Sequence, residues 1–277
     1  MDSLLSSDAA LSCHHRRVTD WSGDEYAQLS GLQRSMIGEA MAGLEFRAGD
    51  SVLDIGCGDG FLTRAIATLT PQGMVVGADP SHRMVATAAR SVTVDGSGPW
   101  FVIADVRDLP FAECFDVAVS FNALHWVPEQ ERALHQIATV LRPGGSVTVQ
   151  MVCAGTRPSL EDVAMELCVE SHWAQWFEGF EPPFVHVEPE RYVDFAAAAG
   201  LVLDDVTVAD REWDFGSREA FAAWSAMGST AWTDRLPEGR RAQFVEEQVG
   251  AYEPIAGEPG LFRFMQMRAR LHRGETG

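Results

Sequence analysis

The apolar positions of this chain fall into two regimes. Up to about residue 155, short aliphatic runs alternate with stretches of helical spacing; beyond it the alternation stops. Val52, Leu53 and Ile55 predict a buried strand, and residues 61–67 (FLTRAIA) a helix. Residues 73–79 (GMVVGAD), 100–104 (WFVIA), 115–121 (FDVAVSF) and 146–152 read as four further strands. A helix over 81–90 is opened by Pro80 and capped by Ser81, and another runs to Leu141. RPGG at 142–145 reads as a turn, with Pro143 stopping the helix and the glycines reversing the chain. Strand–helix alternation of this kind predicts an α/β fold, a doubly wound parallel sheet with right-handed crossovers.

The second regime predicts a helix over 159–177 with a capping box from Ser159 to Asp162, then a proline- and aromatic-rich loop over 178–188. A helix over 189–199 ends at Gly200, and a strand follows over 201–208. Helices over 217–227 and 238–252 precede a last strand, 261–271, whose alternation fits one solvated face. Upstream, residues 21–44 form an amphipathic stretch with Leu32, Met36, Ile37 and Met41 on one side, and residues 1–20 a flexible arm. The expected organisation is a cofactor-binding core over 21–155 and a helical lid over 156–188 and 214–256. Segments 189–213 and 257–273 complete the sheet.

Composition narrows the partners. A net charge of −19, with all 21 basic residues arginine, argues against nucleic acid or an anionic membrane as a partner. No apolar run reaches the ~20 residues needed to cross a bilayer. The basic residues near the N-terminus follow a weak apolar stretch, unlike a signal peptide. His14 and His15 read as part of a solvated turn without a metal role. Cys13, Cys57, Cys114, Cys153 and Cys168 form no CxxC and are odd in number, which fits free thiols and a cytoplasmic location. The oligomeric state stays open.

The chemistry centres on residues 52–60, VLDIGCGDG. Alternating glycines between a strand and a helix let a ligand approach the backbone, and the helix N-terminus favours negative charge. A dinucleotide fingerprint would place its third glycine at Phe61; here the glycines are Gly56, Gly58 and Gly60, preceded by Asp54. Two further acids, Asp79 and Asp105, end the next two strands. Asp79 is placed to accept from ribose hydroxyls. Asp105 is placed to accept from an adenine amine, with the Val106 backbone pairing the ring.

D-x-G-x-G-x-G with these acids resembles the class I, Rossmann-like S-adenosylmethionine-dependent methyltransferases. The resemblance implies a seven-stranded, mostly parallel sheet with the last strand antiparallel. It implies S-adenosyl-L-methionine as cofactor, S-adenosyl-L-homocysteine as product, and no metal. It also implies cofactor contacts from Asp54, Gly56, Cys57, Gly58, Asp79, Pro80, Asp105, Val106, Phe121 and Asn122. Cys57 by itself reads as a small packing residue in the turn.

The segment after the fourth strand, NALHWVP, carries neither a (D/N/S)PP(Y/F) motif nor a Pro-Cys pair, and no acidic cluster for magnesium is visible. A small organic acceptor remains. LHWVP is similar to the trans-aconitate, juvenile hormone acid and malonyl-carrier-protein methyltransferases, which methylate a carboxylate oxygen. The tail REAFAAW…AQFVEEQVGAY…FRFMQMRARL looks most like the trans-aconitate group. That likeness implies Gln33 and Trp126 beside the acceptor carboxylate, with His125 the third catalytic-site candidate. A carboxylate is already ionised at neutral pH, so His125 would be a hydrogen-bond donor or packing residue. With a hydroxyl, amine or carbon acceptor, His125 is instead the leading base. A non-catalytic cofactor-binding homologue is the third reading. Seven large side chains (Trp173, Trp176, Phe177, Phe180, Phe184, Trp224 and Trp232) point to an apolar pocket, and thus to a carboxylic acid with an apolar body. Arg191, Arg211 and Arg218 are candidates to clamp it.

Overall fold

The computed structural model describes residues 31–41, 43–90 and 98–275. The expected arm over 1–20 and the first part of the 21–44 stretch lie outside these residues; the helix is described as α1, Gly31–Met41. In chain order follow β1 (Val52–Ile55), α2 (Phe61–Leu69), β2 (Val75–Asp79), α3 (His82–Arg90), β3 (Trp100–Ile103) and β4 (Phe115–Phe121). Next come a 3-10 turn (Leu124–Trp126), α4 (Gln130–Val140), β5 (Leu141–Val152), α5 (Leu160–Cys168) and α6 (Ala174–Phe177). A second 3-10 turn (Pro189–Arg191) leads into α7 (Tyr192–Ala198) and β6 (Leu201–Asp214). The chain closes with α8 (Arg218–Gly228), α9 (Thr230–Thr233), α10 (Glu238–Ala256) and β7 (Leu261–Arg273).

The seven strands form one sheet in the order β3-β2-β1-β4-β5-β7-β6. The first five are parallel, and β7 runs antiparallel to both β5 and β6. The central strands read as continuous apolar runs because both faces are covered. In β1, Val52 packs with Leu62, Ile66 and Val75 on one face, and Leu53 and Ile55 pack in the larger core on the other. The order reverses between β1 and β4, the crevice where open α/β sheets bind ligands at the carboxyl ends of their strands.

Four local expectations are corrected. RPGG does not form a separate turn before the fifth strand. Leu141 already pairs with Phe115 and Ser146 with Val117, so residues 142–145 bulge out of β5 opposite Asp116. Arg142 holds that carboxylate at 2.6 Å, and Gly144 takes the left-handed φ of 75° that the bulge requires. The helix expected over 159–177 is two helices. Its capping box is present, with Ser159 Oγ accepting from Asp162 N at 3.0 Å, but α5 stops at Cys168 before Trp173 turns into the core. The strand expected over 201–208 continues to Asp214, paired throughout with β7. The face of β7 expected to be solvated is half-buried, since helices of the C-terminal half pack over it.

Helices α5, α6, α8, α9 and α10 form a helical layer with two apolar clusters. One joins Leu32 and Met36 of α1 to Leu160, Phe221, Val249, Phe262 and Phe264. The other is built on Trp173, Phe177, Trp232 and Phe244. No helix of the described residues is long and apolar enough to cross a membrane.

Candidate active site

The glycine turn is held from below. Gly56 N and Cys57 N both donate to Ala78 O, at 2.8 and 3.1 Å, which ties the turn to β2. Gly58 N donates to Asp79 Oδ2 at 3.0 Å, and Ser81 N donates to Asp79 Oδ1 at 2.8 Å. One carboxylate therefore joins the turn to the start of α3, where Ser81 Oγ accepts from Met84 N at 3.2 Å. Gly56, Gly58 and Gly60 all have left-handed φ, at 73°, 53° and 78°. A Cβ on Gly56 would stand 2.2 Å from Ala123 Cβ, so the absence of a side chain lets the NALHW segment close onto the turn. A Cβ on Gly58 would meet nothing within 4 Å; it would project into open space at the edge of a cavity that Gly58 lines.

That cavity has a volume of about 290 Å³. One end is walled by Gly56, Gly58, Asp79, Pro80, Asp105 and Val106; the other by Leu32, Met36, Leu160, Trp224, Trp232 and Phe264. Asn122, His125 and Trp126 lie where the two meet. The structure thus brings most of the sequence-predicted residues to one space. Three cofactor candidates are set back from it. Asp54 is buried and accepts from Thr63 Oγ1 at 2.6 Å, so its carboxylate anchors α2 to β1. Burial pushes that carboxyl up to about 7 despite the hydrogen bond. Cys57 packs in the turn beneath β2, where burial raises its thiol, and Phe121 packs with Val119 and Leu62 on the sheet face. Gln33 lies on α1, but its side chain is outside the described residues.

The arginine clamp is corrected too. Arg211 pairs with Glu39 at 2.6 Å, Arg218 with Glu246 and Glu253, and Arg191 lies over the Phe195 ring at 5.7 Å. None of the three lines the cavity. Among the described residues the cavity-lining arginine is Arg107, which donates to Asp105 through Nε at 2.9 Å and Nη2 at 2.6 Å, and to Glu129 through Nη1 at 3.1 Å. Burial alone would raise the Asp105 carboxyl; the Arg107 hydrogen bonds and charge outweigh it and leave it lowered. Its signal in the sequence was the spacing D-x-R directly after the third strand. Of the seven aromatics expected around a pocket, Trp224 and Trp232 line it, while Trp173 is wholly buried and donates to Glu247 at 2.7 Å.

His125 is 5% exposed, and burial, reinforced by His186, pushes its imidazole down to about 3. It is therefore neutral at any physiological pH. The unfolded chain takes up a proton near 6.5 that the folded chain refuses until about 3, so this term is fully present above pH 6.5 and lost as pH falls. Asp54 has the opposite sign: its folded carboxyl keeps a proton up to about 7, and its term is lost as pH rises. The two slopes cancel between about pH 4 and 6.5. Denaturant titrations of His125→Gln over that window should expose the Asp54 slope, a difference from wild type of ~1.4 kcal/mol per pH unit. Parallel pH profiles would show that His125 is protonated in the fold.

Comparison with known proteins agrees with this geometry. Residues 52–145 match the family model described as a methyltransferase domain. The chain is 35% identical over 157 residues to trans-aconitate 2-methyltransferase of Mycolicibacterium gilvum, covering 55% of this chain and 58% of that one. It spans about half the length of the matching mycobacterial trans-aconitate 2-methyltransferases, at 34% identity. YcgJ of Bacillus subtilis superimposes with a TM-score of 0.62 at 19% identity, covering 88% of this chain and all of that one. Phosphoethanolamine N-methyltransferase 2 of Haemonchus contortus, solved with S-adenosylhomocysteine, gives 0.57 at 16% identity over 92% of this chain and 57% of that one. Residues 52–145 thus carry a methyltransferase domain, and the glycine turn, the acids at the strand ends and the strand order are those of the class I S-adenosylmethionine-dependent methyltransferases that the chain resembles.

Proposed function

We propose that this protein methylates a carboxylate oxygen of a small organic acid with an apolar body. The observation that carries the reading is the single cavity that joins the glycine turn to an apolar helical chamber, with a buried neutral histidine at the junction. The chain's own residues fit the cofactor: Gly58 leaves open space at the edge of the cavity, into which a side chain would project. The Asp79 carboxylate, which accepts from Gly58 N and Ser81 N on the cavity wall, would also accept from the ribose hydroxyls. Asp105, held by Arg107, and the backbone of Val106 would take the adenine. When bound, the cofactor supplies an electrophilic methyl group for in-line displacement.

The protein's part is then alignment and exclusion of water. Residues 156–188 and 214–256 act as a lid over the acceptor, completing the organisation in which 21–155 is the cofactor core. A carboxylate needs no general base, and an imidazole pushed down to about 3 is a poor one. His125 and Trp126 shape the junction, and the match to trans-aconitate 2-methyltransferases supports an acid as acceptor. Gln33 on α1 remains the candidate for its second contact.

The test is a panel of carboxylic acids and phenols, read by product mass. Methyl esters are expected. His125→Gln should lower kcat less than ~10-fold, and kcat/KM should show no limb near pH 6.5. A loss of ~100-fold or more with unchanged cofactor affinity would make His125 a base and the acceptor a hydroxyl or amine.

A further inference from the structure

The acceptor end of the cavity contains a polar group with nothing to bind. Ser225, on α8, is fully buried, lines the cavity beside Trp224, and its hydroxyl has no hydrogen-bond partner among the described residues. A helical serine ordinarily returns its hydroxyl to the carbonyl one turn back; Ser225 does not. Two other polar residues of the cavity wall, Ser229 and Gln248, are satisfied within the protein. Ser229, one turn on, donates to Gln248 Oε1 at 2.7 Å, and Gln248 Nε2 donates to Leu160 O at 3.0 Å. The same cavity wall includes the apolar side chains of Trp224, Met227, Phe262 and Phe264. Burying a hydroxyl unpaired is unfavourable, and alanine is the better helix former, so the serine works against stability where it stands.

We infer that Ser225 is a specificity-determining residue: its hydroxyl hydrogen-bonds an uncharged oxygen substituent, a hydroxyl or keto group, on the apolar body of the acceptor. The inference rests on the carboxylate reading above for the reacting end only. The oxygen substituent is uncharged because an oxyanion there would exchange its hydration for one neutral hydroxyl, in a cavity whose wall also carries the Glu161 carboxylate. The acceptor is thus a hydroxy or keto acid, reacting at the junction with Asn122 and His125 and recognised at the far end by Ser225. A site that hydrogen-bonds a substrate oxygen discriminates against the analogue lacking it, because its own polar group is then left unpaired.

The experiment compares octanoic acid with its hydroxy- and oxo-substituted positional isomers, and 4-alkylphenols with and without a side-chain hydroxyl. Wild type and Ser225→Ala are assayed, with kcat/KM read from the mass of the methylated product. We expect at least one oxygenated acid to exceed octanoic acid by ~10-fold or more, and Ser225→Ala to reduce that ratio to within ~3-fold. The melting temperature of the variant should equal or exceed that of wild type, which a structural serine would not allow. The inference is overturned if no isomer is preferred, if Ser225→Ala keeps the preference, or if the variant melts several degrees lower. Esters formed without preference would remove the Ser225 role and leave the carboxylate reading. Methylated phenols that show the preference would do the reverse, and no methylated product from either set would remove both.

Discussion

Gly58→Val should fold and fail to bind S-adenosylmethionine. Among the described residues, no atom beyond its chain neighbours lies within 4 Å of the position a Cβ would take, so the substitution meets no clash there. Its direct cost is the left-handed φ of 53°, ~1–2 kcal/mol for a branched side chain, which a domain of this size tolerates. The side chain instead occupies the end of the cavity between Asp79 and the glycine turn. Calorimetric titration should show an affinity loss of ~1000-fold or more, while the unfolding transition stays cooperative. Gly56→Ala is the informative contrast. Its Cβ would stand 2.2 Å from that of Ala123, so stability and binding should fall together. Tight binding by folded Gly58→Val would show that the turn is only structural.

Asp79→Ala should be nearly as damaging, for two separable reasons. The carboxylate accepts from Gly58 N and Ser81 N, and its loss leaves two donors beside the cavity without their partner, ~1–3 kcal/mol each where water cannot replace it. It also removes the acceptor proposed for the ribose hydroxyls, a further few kcal/mol of binding. Asp79→Asn separates them, because its one carbonyl oxygen can keep a single backbone donor. The expected order of cofactor affinity is wild type, then asparagine, then alanine, with alanine also melting lowest. Equal affinity of wild type and folded Asp79→Ala would overturn the ribose assignment.

What the sequence determined by itself was local. A strand buried on both faces must be apolar throughout, so 52–55 and 115–121 were legible as runs, and the glycines at 56, 58 and 60 marked a backbone that departs from ordinary φ. Acids at the ends of successive strands are a periodic feature of one chain, and the parallel order then places Asp79 beside the turn. The capping box at Ser159 needs only three residues of separation, and it too was readable.

Tertiary structure decided what depends on partners far along the chain. Whether an arginine is free to clamp a substrate depends on carboxylates such as Glu39 or Glu253, 172 and 35 residues away, and these took Arg211 and Arg218 out of contention. Arg107 gained its place through a carboxylate two residues away, yet its position on the cavity wall required the fold. RPGG resembles a turn in isolation; pairing of Leu141 with Phe115 made it a bulge within a strand. Ser225 carries no motif at all. Its significance is the absence of a partner for a buried hydroxyl among the described residues, which only the packing of α8 against α10 and β7 around the cavity could produce.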